Sequence, residues 1–260
     1  MKKIIITILC LLPGTALFAQ YTKFTTSGTI EFEKTINLYT LAKDQLNAKP
    51  DEFDIQRLAM YKKMTPNQYR KLPATLTFNG DKTLYTPAKV EVYEKVMNND
   101  NPMAKQFNTV YNDLSAGTIT VLKNVYEEDY LLKDSTRKIK WKLTDETREI
   151  AGFVCRRANA VIMDSLYVVA FYTNEIHVSG GPETFTGLPG MILGVALPHE
   201  GVTWFATKVT DTSVPANTIV PPKKGKPTTN KQLSKILWDI MKTWSSVGNR
   251  GPYEMRVFLM

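Results

Sequence analysis

GGPETFTGLPGMILGV, residues 180–195, places four glycines and two prolines ahead of an uninterrupted apolar run. In Leu188-Pro189-Gly190-Met191, Pro stands where a type II turn pre-sets φ near about −65° and Gly where the turn needs positive φ. The spacing predicts a specified chain reversal that launches a buried strand over 191–196. No nucleophile–base pair, metal-ligand cluster or phosphate loop accompanies the turn, so the segment points to architecture before chemistry.

Outward from it, short strands are expected at 118–123, 126–132, 138–143, 153–163, 166–173 and 202–210, with turns at Asp164-Ser165 and His199-Glu200-Gly201. Strands joined this tightly are antiparallel, because a parallel crossover needs about a dozen residues. Ile30, Phe32, Ile36 and Leu38 alternate along a half-buried strand. Asn79-Gly80 is a strong hairpin signal between 74–78 and 83–85. Phe53, Ile55, Leu58, Ala59 and Tyr61 fall near helical spacing in 51–64, inside a helical insertion of about 44–72. Residues 90–114 are polar and interrupted by Asn98-Asn99-Asp100-Asn101-Pro102, which suggests helix fragments and a loop.

Residues 221–227, PPKKGKP, read as a stiff, solvated linker. A helix of about 228–246 follows, capped by Thr228 or Thr229, with Leu233, Ile236, Leu237, Ile240, Met241 and Trp244 on one stripe. Trp238 projects instead with Lys231, Lys235 and Lys242. Core packing is the expected use of the stripe, with peripheral membrane contact as the alternative. Residues 252–260 read as a last strand. The fold class expected is α+β: a single domain over 20–260, built as one curved antiparallel β-sheet or partly closed barrel in meander order, with two or more covering helices.

The stretch AFYTNEIHVSGGPETFTGLPGMIL, residues 170–193, resembles the signature of the GLPGLI family, secreted proteins of Bacteroidetes. IAGFVCRRA, residues 150–158, is similar to that family's approach strand, with Phe153 in place of the usual aromatic. Met191 replaces Leu in the family's name motif and conserves volume. The resemblance is specific over about 141–209 and implies export and a β-rich architecture. It brings no active site, because the family has no established activity.

Met1-Lys2-Lys3, an apolar run and Ala19 form the pattern of a secretory signal over 1–19. Pro13 and Gly14 break the run well short of the ~20 residues a membrane span needs. Removing Lys2 and Lys3 lowers the formal net charge of +8 by two, and the remaining lysines are scattered. No nucleic-acid partner is expected. With Cys10 in the signal, Cys155 has no internal partner, and its strand position suits a small core residue better than a reactive thiol.

For chemistry, Glu175 and His177 at i, i+2 project from one face and are the best metal or catalytic candidates, with His199 and Glu200 as further ligands. No established spacing links the four. There is no Gly-x-Ser-x-Gly elbow, and Asp113 and Asp164 stand alone. Gly180-Gly181 is either an anion-binding nest or, more simply, a sharp turn. Trp141, Tyr167, Phe171, Trp204 and Phe205 spread over neighbouring strands as ordinary core or as the lining of a ligand site.

The reading is therefore a non-catalytic envelope protein, periplasmic or outer-membrane associated, that binds an envelope partner or a lipid-like ligand. Gly180, Gly181, Pro182, Phe185, Gly187, Leu188, Pro189 and Gly190 would form the rim of its site. No cofactor is expected, and the oligomeric state is open. A hydrolytic or metal-dependent enzyme using Glu175 and His177, and a structural role in an envelope assembly, are the alternatives.

Overall fold

A computed structural model describes residues 25–44, 46, 49–89, 102–105, 108–126, 128–243 and 250–260. The expected signal at 1–19, all of the segment 90–101 and Trp244 lie outside them. The first strand, β1 (Ser27–Asn37), leads into α1 (Leu38–Asp44) and α2 (Glu52–Met64). Five strands and a short helix follow: β2 (Tyr69–Asn79), β3 (Lys82–Pro87), α3 (Pro102–Lys105), β4 (Thr109–Asp113), β5 (Thr118–Val125) and β6 (Glu128–Ser135). A second run holds β7 (Lys142–Ile150), β8 (Phe153–Ile162), β9 (Leu166–Thr173), β10 (Met191–Leu197) and β11 (Val202–Asp211). The chain closes with β12 (Lys226–Thr228), α4 (Asn230–Thr243) and α5 (Arg250–Leu259).

Among the described residues twelve strands lie in one open sheet, ordered β12-β6-β5-β4-β3-β2-β1-β11-β10-β9-β8-β7. It consists of two antiparallel meanders, β1–β6 and β7–β11, joined where β1 pairs with β11. β6 and β7, expected as neighbours, lie near opposite edges instead. Residues 136–141 join them without bringing the two strands side by side, so sequence adjacency did not become pairing. The end of the expected linker forms β12, which pairs in parallel with β6. Among the described residues no helix is long and apolar enough to cross a membrane.

The two-residue period holds well at the centre. Along β1, Ile30, Phe32, Lys34 and Ile36 all point inward, and each is at most 4% exposed. Met191, Ile192, Leu193, Gly194 and Val195 in β10 are all buried, which explains a strand without alternation: both of its faces are covered. β7 shows the reverse. Only its last residue is buried, so an edge strand written KLTDETREI carries no inward-facing apolar pattern, and its expected position at 138–143 was largely displaced. β4 also lies inside a segment expected to be helix fragments and loop. The Asn79-Gly80 hairpin forms as expected, with Asn79 opposite Lys82 and Gly80 at φ +54°.

Three local corrections concern turns and ends. Gly190 N donates to Leu188 O at 2.8 Å, a three-residue turn centred on Pro189, and Met191 N donates to Ile176 O rather than closing a type II turn. Leu38, expected at the end of the first strand, opens α1. The expected last strand over 252–260 is helix α5, which packs against α3 and α4. α2 matches its expected span, with the Asp51 side chain accepting from Asp54 N at 2.7 Å as N-cap. Yet Phe53, Ile55, Met60 and Met64 are exposed, while Asp54 and Tyr61 face inward.

Candidate functional site

The loop between β9 and β10 folds inward. Gly180, Gly181, Pro182, Phe185, Leu188 and Gly190 are buried, and Gly187 and Pro189 reach the surface. A side chain at Gly180 would come within 2.9 Å of Thr83 Cγ2 in β3, and one at Gly181 within 2.7 Å of Phe185 O. Ser179 Oγ donates to Leu188 O at 2.6 Å, and Trp141 Nε1 donates to Thr186 O at 3.0 Å. Phe185 packs against Trp204, with ring centroids 5.9 Å apart. The glycines thus let backbone pass where side chains already fill the space.

At the loop's centre Glu183, at φ +52°, turns its carboxylate into the core. Asn108 Nδ2 donates to Glu183 Oε2 at 2.9 Å. Two lysines approach from inward positions of β1 and β5. Lys34 Nζ donates to Met103 O at 3.0 Å and stands 5.1 Å from the Trp204 ring centroid. Lys123 Nζ donates to Phe258 O at 2.5 Å. Neither ammonium forms an ion pair with Glu183 among the described residues; the charges couple through space.

Burial dominates all three titrations. It raises Glu183, against the opposing pull of Lys34 and Lys123. It lowers Lys34, and it lowers Lys123 to about 8, with Glu183 resisting in each case. Burial also holds the neighbouring Tyr85 phenol well above its ordinary range. Trp204 Nε1 is buried beside Glu183 and Tyr85 and, although it makes no hydrogen bond of standard geometry, its N–H favours the ionised form of both. The group acts as an electrostatic clasp, tying β1, β5, the inward loop, α3 and α5 together. Sequence reasoning passed over both lysines, although each occupies an inward position in an otherwise apolar alternation, Ile30-x-Phe32-x-Lys34-x-Ile36 and Ile119-x-Val121-x-Lys123-x-Val125.

Lys123 also borders a cavity of about 610 Å³ between β5, β6, the segment after β6, α4 and the end of α5. Ile119, Val121 and Leu132 are buried along its floor, and Lys138 and Lys231 are exposed at its mouth. Arg137 lies between: Nη2 donates to Leu259 O at 2.6 Å, and Nη1 is buried without a hydrogen-bond partner. Burial lowers its pKa. From the inward loop Thr184 reaches this wall, donating from Oγ1 to Met260 O at 2.7 Å. The volume is that of a small-molecule site.

Glu175 and His177 are exposed beside the start of β10, whereas His199 and Glu200 lie beyond its far end. A strand of this length separates the pairs by about 20 Å at a rise of about 3.3 Å per residue. Among the described residues no three His, Cys, Asp or Glu side chains stand close enough to hold a metal ion. Cys155 is fully buried, and burial followed by the Glu175 charge pushes its thiol up to about 12. Of the expected aromatic set, Trp204 is fully buried, and Phe171 and Phe205 meet at 6.2 Å under the Arg148 guanidinium.

The fold is similar to that of PNGF-II in two crystal forms. In the P21 form the TM-score is 0.50 at 15% identity, covering 82% of this chain and 33% of PNGF-II. In the C2 form the TM-score is 0.49 at 16% identity, covering 82% and 32%. The chain spans about one third of the length of PNGF-II, and the likeness is one of fold. No curated protein matches this chain. Residues 160–194, from the end of β8 through the inward loop into β10, match the family described as "Protein of unknown function (Porph_ging)".

Proposed function

We propose that this is an exported, non-catalytic envelope protein that holds an apolar or amphipathic ligand in the cavity beside β5 and β6. The cavity itself carries the reading: it combines an apolar floor, a polar mouth and a size suited to a small molecule. The signal pattern at 1–19 and the resemblance of 170–193 to the secreted GLPGLI family support export to the periplasm or outer membrane. In this reading the sheet coils about the inward loop, and the loop supports the cavity wall through Thr184 rather than serving as an open rim.

The test uses N-phenyl-1-naphthylamine, a neutral probe whose emission rises in apolar surroundings. Saturable binding is expected, weakened about tenfold or more, roughly 1.4 kcal/mol, by Thr136→Trp at the cavity wall. Unchanged binding by a variant with native circular dichroism would remove the cavity as the site. Absence of binding by the unmodified protein would remove the function.

A further inference from the structure

We infer that the cavity selects an amphipathic anion, with its carboxylate or phosphate head against Arg137 and its apolar body on Ile119, Val121 and Leu132. This inference rests on the cavity reading above. It follows from an imbalance of charge among the described residues: four cationic side chains, Lys123, Arg137, Lys138 and Lys231, border the space, beside the carboxyl group of Met260, with one acidic side chain, Asp134. That acid is already engaged, since Oδ2 accepts from Asn230 N at 3.0 Å and Oδ1 from Ser135 N at 2.8 Å. Glu183 partly balances Lys123 from within the core and does not border the cavity.

The Arg137 guanidinium is held by one edge. Leu259 O fixes Nη2, while Nη1 is buried behind the cavity-lining part of the side chain with no hydrogen-bond partner. A buried charged donor without an acceptor is costly, and a small rotation of the guanidinium toward the cavity lets a bound oxyanion remove that cost with a charge-assisted hydrogen bond. Lys138 and Lys231 at the mouth attract anions from solvent without fixing their geometry. The apolar floor lies beyond the reach of a bare ion, so a free anion leaves it uncovered. Head and body recognition together define the ligand class.

Displacement of N-phenyl-1-naphthylamine by dodecanoate, dodecyl phosphate and 1-dodecanol, each below its aggregation concentration and at constant ionic strength, separates the contributions. Both anions are expected to bind at least about tenfold more tightly than the alcohol, as one charge-assisted contact provides. Arg137→Gln is expected to shrink that preference to about threefold or less, with dodecanol affinity in the same variant as the reference. Lys231→Gln, at an exposed position, is expected to reduce the preference and its salt dependence in a protein of native stability.

Equal affinity for dodecanoate and dodecanol would overturn the anion assignment while leaving the cavity function standing. So would a preference that survives both substitutions. Displacement by inorganic phosphate at the concentration effective for dodecyl phosphate would overturn the amphipathic part. Failure of every chain, together with failure of the probe, would overturn the cavity function itself.

Discussion

Gly190 and Gly152 both adopt positive φ, +153° and +84°, but for different reasons. A Cβ on Gly190 collides with the carbonyl oxygen of Thr173, whereas one on Gly152 meets nothing within 4 Å. Gly152→Ala should therefore cost about 1 kcal/mol from backbone strain, and Gly190→Ala about 3 kcal/mol once the collision is added. Paired urea melts check the ordering; equal losses would show that conformation alone accounts for Gly190. The need for glycine at 190 was legible in its Pro-Gly sequence, but the form of the turn was not, because β9 supplies the obstructing carbonyl. Lys34 and Lys123 were legible in a different way. Alternation alone assigns them inward, and only the reluctance to bury a lysine hides them.

Elements whose stabilising contacts are local were the easiest to read. α4 begins with a capping box: Gln232 N donates to Thr229 Oγ1 at 3.3 Å, and Thr229 N donates to Gln232 Oε1 at 3.0 Å. Thr229→Ala should lower unfolding stability by about 1 kcal/mol, and amide exchange over the first turn of α4 should accelerate. An unchanged exchange rate would count against the cap. α5 depends on distant help. The main-chain oxygens of Phe258 and Leu259 at its end, and of Met260 just beyond it, accept from Lys123, Arg137 and Thr184 in three separate parts of the chain. A short apolar run ending in VFLM fits strand and helix equally well until those donors are in place. β7 was obscured for the opposite reason, since an edge strand exposed along nearly its whole length shows no hydrophobic period.

Across the molecule, the buried clasp makes stability depend on pH in two directions. Lys123 titrates near 8 when folded against an ordinary 10.5, so the unfolded chain binds the extra proton between those values. Its contribution therefore raises stability as pH climbs from about 8 toward 10.5. Glu183, with its folded pKa raised above 4.5, lowers stability as pH rises through that shifted value. The unfolding free energy of the unmodified protein minus that of Lys123→Met should therefore climb between about pH 8 and 10.5. A flat difference would show that Lys123 does not lose its proton in this window. The clasp links the two meanders' common interior with the helices, so its titration reports on the whole fold rather than on one hairpin.

The order of residues was enough to specify local shape: the alternation of β1, the Asn79-Gly80 hairpin, the caps of α2 and α4, and the apolar run of β10. Each depends on neighbours a few positions away, where backbone geometry and period act directly. Assembly specified the rest. The separation of β6 from β7, the burial of Glu183 between two lysines, the helical form of α5 and the cationic cavity arise from partners tens to more than a hundred residues apart. Their stabilisation follows from the low dielectric and dense packing of an interior that exists only after the sheet has formed.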